Sequence, residues 1–88
     1  MSSPAVEFAR SNQPRFLNEL KDFLRIPSVS TLQEHKADVG KAAEFVAREL
    51  SRIGLENVEL VPTKGHPLVY GDWLHAAGKP TVLMYAHY

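Results

Sequence analysis

Hydrophobic residues recur at helical spacing in the first third of the chain. They fall on one face of a helix, with charged residues between them, at Phe16, Leu17, Leu20, Phe23 and Leu24. Asn12 is a candidate N-cap with Pro14 in the first turn, and Pro27 ends the helix because it disfavours helical backbone at the residue before it. Residues 4–11 are expected to add an earlier helical turn or two.

A second amphipathic stripe predicts a longer helix. Its apolar positions are Val39, Ala42, Ala43, Val46, Ala47, Leu50 and Ile53. Gly54 follows where a left-handed C-terminal cap belongs, and Leu55 can then fold back over the last turn. The opposite face is charged, and we interpret it as solvated.

After Gly54 the pattern changes to that of strands. "NVELVPT" alternates loosely, and "PLVYGDWL" is rich in β-branched and aromatic residues, so the two are predicted to form a hairpin that turns at Gly65. The spacing of Tyr70 and Trp73 from Val69 favours a packed strand face over a ligand platform. "TVLMYA", Thr81 to Ala86, is apolar without alternation, which is typical of a central strand buried on both faces.

These elements predict an α/β fold, as part of a mixed sheet flanked by helices. A strand that is apolar on both faces needs two covering layers and a neighbour on each edge. Two helices and one hairpin cover only part of it. We therefore expect the domain to continue after Tyr88.

Composition narrows the classes of function. The 88 residues carry 10 Lys and Arg against 10 Asp and Glu, a net charge of zero that disfavours binding to nucleic acid. There is no Cys, so any metal would be held by His, Asp or Glu. The chain shows no signal peptide and no apolar run long enough to span a bilayer, so we expect a cytoplasmic protein without membrane contact.

His87 is the residue with candidate chemistry. It follows the predicted buried strand, and the carboxyl ends of strands in α/β sheets are where reactive groups gather. A neutral imidazole there can bind a divalent metal, but a lone His at a strand end is more often a hydrogen-bonded structural residue. His35, His66 and His75 fit no common metal motif and are interpreted as surface polar residues.

An ordered set of segments resembles a known enzyme family. "FLRIPSVST", then "AAEFVARELSRIGLENVELV", then "HPLVYGDWLHAAGKPTVLMYAHY" are similar to the opening of the M20 family of metallopeptidases, over about Phe16 to Tyr88. The "PLVYGDW" segment and Tyr88 look more like the dipeptidase, carnosinase-like subgroup. Ala86 departs from the Gly more common in the family.

The resemblance implies a function for a longer parent protein. Residues 1–88 would be the N-terminal part of a truncated zinc-dependent exopeptidase-like catalytic domain, with the rest of that domain and a lid or dimerisation domain absent. His87 would be the first ligand of a two-zinc site, with no catalytic residue in the chain itself, which should be inactive alone. The substrates would be dipeptides or the C-terminal peptide bond of short peptides, and a homodimer is left open.

A non-catalytic alternative belongs to a different class of protein. The chain would then be a small α/β interaction module that offers the exposed edge of "TVLMYA" to a partner strand.

Overall fold

The computed structural model describes residues 3–88, which form three α-helices and one hairpin. Helix α1 spans Pro4–Ser11, α2 spans Gln13–Leu24 and α3 spans Lys36–Arg52, with a 3₁₀ turn at Gln33–His35 before α3. Strands β1, Glu56–Val61, and β2, Leu68–Asp72, follow. The predicted helices and hairpin are confirmed, and the earlier helical turns form all of α1. Within residues 3–88, no helix is long and apolar enough to cross a membrane.

The junction between α1 and α2 differs from the prediction in one contact. Ser3 caps α1 by accepting a hydrogen bond from the Val6 backbone N–H at 3.2 Å. Asn12 occupies the N-cap position of α2 as predicted, but its side chain makes no capping bond. Its side-chain amide donates instead to the Phe8 carbonyl at 2.9 Å. The same carbonyl also accepts from the backbone N–H of Asn12 at 3.1 Å, so both bonds from Asn12 satisfy the C-terminal end of α1. Asn12 therefore closes α1.

Helix α3 ends in the predicted left-handed cap. Gly54 has a φ of +99°, its N–H donates to the Ser51 carbonyl, and the Leu55 N–H donates to the Leu50 carbonyl at 3.0 Å. This pair of bonds is the Schellman motif. It turns the chain directly from α3 into β1.

The side chain of Thr63 stabilises the hairpin turn. The Thr63 hydroxyl accepts a hydrogen bond from the Gly65 N–H at 3.0 Å and donates to the His66 carbonyl at 2.7 Å. The positive-φ glycines among residues 3–88 are Gly54 and Gly78, so Gly65 lies in the turn as predicted without needing left-handed backbone.

The two strands are antiparallel, and the register shifts between Glu56 and Glu59. Three steps along β1 match two steps along β2, so β1 carries one extra residue, which is a β-bulge. Asn57 has a φ of +54°, a backbone region in which Asn is more common than most residues.

Helix α3 packs on the hairpin and supplies the core. Val39, Ala42 and Ala43 are the buried hydrophobic residues of this part of the chain. Gly71 allows a close approach: a Cβ added there would lie 3.2 Å from the Val58 side chain and 3.3 Å from that of Leu50. The α/β class is confirmed, as helices beside a two-stranded antiparallel sheet.

The prediction of a strand at residues 81–86 is wrong for this structure. The segment forms no β-ladder, and Val82, Leu83, Met84 and Tyr85 are 76 to 91% exposed. An apolar run becomes a strand only by pairing, and β1 and β2 pair with each other. The radius of gyration, 15.4 Å, exceeds the value of about 12 Å expected for a compact domain of this length.

The prediction of a packed face at Tyr70 and Trp73 is also wrong. Tyr70 is 47% and Trp73 57% exposed. Strand β2 ends at Asp72, and α3 is the helix that contacts the sheet, so the aromatic side chains have no second layer to pack against.

Candidate functional site

His87 lies in the exposed segment at the end of the described chain. Its Nε2 is 3.4 Å from the Tyr85 hydroxyl, and the two rings meet edge to face at 5.3 Å between centroids. A separation of 3.4 Å is too long for a strong O–H···N bond, so the imidazole nitrogen remains available to a stronger partner.

Tyr88 ties this segment to the hairpin. Its hydroxyl donates to the Pro67 carbonyl at the start of β2, and partial burial raises the pKa of Tyr88. His87 is therefore adjacent to a residue that is hydrogen-bonded to the hairpin, whereas the side chains of Val82 to Tyr85 are largely exposed.

The other three histidines each bond to a neighbouring element. His35 Nδ1 donates to Oδ2 of Asp38 at 2.9 Å, in the first turn of α3. His66 Nε2 donates to the Ser30 carbonyl at 3.0 Å, joining the hairpin turn to the loop before α3. His75 pairs with Glu56 across the open end of the hairpin and lies edge to face with Trp73. His75 is exposed as predicted, but His35 and His66 are half-buried, and His66 links segments that are 36 residues apart in the chain.

The described residues do not by themselves build a metal centre. No group of three or more His, Asp or Glu side chains in residues 3–88 lies close enough to hold an ion. Structural zinc takes four ligands and catalytic zinc takes about three from the protein. His87 could supply only one ligand, so we assign no metal-dependent step to these residues. Its role as a ligand stays a prediction.

A polar cluster closes the open end of the hairpin. The Tyr70 hydroxyl donates to Oδ2 of Asp72 at 2.8 Å, and the Asn57 amide donates to Oδ1 of the same carboxylate at 3.0 Å. The hydrogen bond to Asp72, and then the negative charge of that carboxylate, raise the pKa of Tyr70. The cluster uses its acceptors internally, which favours a structural role.

Two of the clefts in the described residues lie between separate elements of the fold. One, about 330 Å³, runs between α2 and α3 and is largely apolar, with the Phe23 and Phe45 rings stacked 5.3 Å apart. Arg52 lies at its rim, within 3.5 Å of Glu19 and 2.6 Å of Glu49, and the hydrogen bond to Glu49 raises the pKa of Arg52. The other, about 310 Å³, lies between the loop before α3 and the hairpin turn. Sequence reasoning missed both, because each is made by residues far apart in the chain.

Comparison with known proteins gives one similarity. The chain is 27% identical, over 97 aligned positions, to the Cys-Gly metallodipeptidase DUG1 of Candida albicans. The alignment covers 97% of this chain and 20% of that protein, so the chain spans about a fifth of the relative's length. No protein-family profile matches the chain. No solved structure matches it either.

Proposed function

We propose that this chain is the N-terminal segment of the catalytic domain of an M20-type metallopeptidase that hydrolyses dipeptides or the C-terminal peptide bond of short peptides. The observation that carries the proposal is the similarity to a Cys-Gly metallodipeptidase, which extends over 97% of the chain. The confirmed order of helices and hairpin and the His-Tyr pair at residues 87 and 88 support it.

The proposed role of His87 is that of a metal ligand, with zinc as the metal. A neutral imidazole suits zinc, and its Nε2 makes only a long contact to Tyr85. Zinc bound by such ligands would polarise the scissile carbonyl and activate water. The remaining ligands and the general base would come from residues outside this chain, as would a lid or dimerisation domain and any homodimer contact. The chain alone is proposed to be inactive, and the parent protein to be cytoplasmic.

The substrate proposal is a small peptide. Cys-Gly is the natural first test, because it is the substrate in the name of the similar protein. Side-chain preference beyond that would depend on residues outside this chain.

The deciding experiment extends the reading frame beyond Tyr88 in genomic or transcript sequence. An Asp two positions after His87, followed by a long continuation with further Asp, Glu and His, is expected. The extended protein, purified with its metal, should hydrolyse Cys-Gly, and chelation should abolish the activity. A chelator-insensitive or inactive extended protein with no bound metal would contradict the proposal.

The alternative is a non-catalytic module that binds a partner strand. The exposure of Val82 to Tyr85 and the unpaired edges of a two-stranded sheet favour it. A natural transcript that stops after Tyr88 would support this alternative over the peptidase.

A further inference from the structure

The cleft between the loop before α3 and the hairpin turn carries positive charge without an acidic lining residue. Its volume is about 310 Å³, and its lining is Ser30, Thr31, Leu32, Gln33, Lys36, Lys64, Gly65 and His66. Two lysines therefore share one cleft with hydroxyl and amide groups and no carboxylate. In a chain of zero net charge, this is a local excess of positive charge.

Neither lysine of the cleft is neutralised by a neighbour. Among residues 3–88, Lys36 and Lys64 take part in no ion pair, whereas Lys41 on the next turn of α3 lies 3.9 Å from Asp38. Two like charges lining one cleft repel each other, and an anion bound between them would attract both lysines and offset that repulsion.

The two walls of the cleft are held together by a hydrogen bond. His66 Nε2 donates to the Ser30 carbonyl at 3.0 Å, so the hairpin turn that carries Lys64 is fixed to the loop that leads to Lys36. Thr63 keeps the turn itself in shape through its bonds to Gly65 and to the His66 carbonyl.

We propose that this cleft binds a phosphate group, free or as a monoester. A lysine ammonium binds phosphate as a point charge, and hydroxyl groups such as those of Ser30 and Thr31 can donate to the remaining oxygens. The start of α3 at Lys36 adds a small favourable dipole, but Asp38 in the first turn opposes it. The lysines therefore carry the proposal. His87 does not line the cleft, so the proposal holds or fails independently of the peptidase function.

Limited trypsin digestion of the full 88-residue chain tests the site, because trypsin cleaves after both lysines. The chain is digested at low protein concentration in inorganic phosphate, glycerol phosphate, acetate or chloride, all at equal ionic strength. Mass spectrometry then measures the rate of cleavage at each site. Phosphate is expected to slow cleavage after Lys36 and Lys64, relative to Lys21 and Lys41, with a dissociation constant on the order of 1 mM. Stronger protection by glycerol phosphate would identify a monoester as the ligand, and equal or weaker protection would identify free phosphate.

Single substitutions show whether the two lysines act together. Lys64→Gln should raise the phosphate concentration needed to protect Lys36 by about tenfold, and Lys36→Gln should have the same effect on the protection of Lys64. Lys79→Gln, at an exposed lysine outside the cleft, should leave both unchanged. The proposal is overturned if phosphate protects no better than acetate or chloride, if Lys21 and Lys41 are protected equally, or if protection at Lys36 survives Lys64→Gln.

Discussion

The side-chain amide of Asn57 donates to Oδ1 of Asp72 at 3.0 Å, across the end of the hairpin where β1 carries its extra residue. Asn57 also has left-handed backbone, with a φ of +54°. A single residue thus provides both the backbone conformation and the side-chain bond that close the bulge.

Replacing Asn57 separates these two contributions. Asn57→Ala should destabilise the chain by about 1–3 kcal/mol, because it loses a hydrogen bond and places a Cβ in left-handed backbone. Asn57→Gly loses the bond but tolerates the φ, so it should cost about 1 kcal/mol less than Ala. Denaturant unfolding followed by circular dichroism measures both. Equal losses of unfolding free energy in the two variants would show that the left-handed backbone at residue 57 does not affect stability.

Alanine should have opposite effects at the glycine that ends α3 and at a glycine inside the same helix. Gly54→Ala should destabilise by about 1–2 kcal/mol, because a φ of +99° strains any residue with a Cβ. Gly40→Ala lies inside α3 with no atom within 4 Å of the added methyl, so it should stabilise by about 0.5–1 kcal/mol. Thermal unfolding of both variants checks the signs, and a stabilising Gly54→Ala would contradict the cap.

Local signals were sufficient to predict most of the fold. The stripe from Val39 to Ile53 and the glycine after it predicted α3 and its cap, because helix periodicity and left-handed backbone are properties of a few adjacent residues. The hairpin followed in the same way. The failures at residues 81–86 and at Tyr70 share a cause: burial depends on which other elements are present to pack against, and a single segment does not encode that.

The sequence named a candidate site residue but not the geometry around it. The prediction for His87 rests on its place after an apolar run and on a family resemblance. The surroundings of His87 depend on contacts distant in sequence, such as that of Tyr88 with Pro67. The cleft containing Lys36 and Lys64 joins residues on separate elements and left no local signal.

Tyr70 should titrate above its ordinary pKa because of Asp72. The hydrogen bond and the carboxylate charge favour the neutral phenol in the folded chain. The stability that they add is therefore present below about pH 10 and is lost as pH rises through the raised pKa of Tyr70. Asp72→Asn should lower the pKa of Tyr70, measured by tyrosinate absorbance against a Tyr70→Phe baseline. An unchanged titration curve in Asp72→Asn would show that the hydroxyl does not bond to the carboxylate in solution.

The exposed segment should make the chain self-associate. Leu83 and Met84 are 91% and 85% exposed within an apolar run that has no strand partner. Leu83→Glu with Met84→Glu should shift the chain toward monomer in size-exclusion chromatography with light scattering. Ala76→Glu with Ala77→Glu adds the same charge in an exposed loop and should have a smaller effect. If both pairs act equally, net charge rather than the apolar segment controls association.

The last prediction concerns His87 in the extended protein. If His87 binds a metal directly, His87→Ala should remove at least part of the bound metal and reduce Cys-Gly hydrolysis more than about 100-fold, since even changes around metal ligands cost 10–100-fold. The fold should persist, because the His87 side chain is exposed and its polar and ring contacts to the nearby Tyr85 are weak. His75→Ala is the matched control: this histidine pairs with Glu56 and should leave metal content unchanged. Elemental analysis, dipeptide hydrolysis and circular dichroism on the three proteins separate the outcomes. Full metal content and activity after His87→Ala would make His87 a structural residue and leave the peptidase proposal without its predicted ligand.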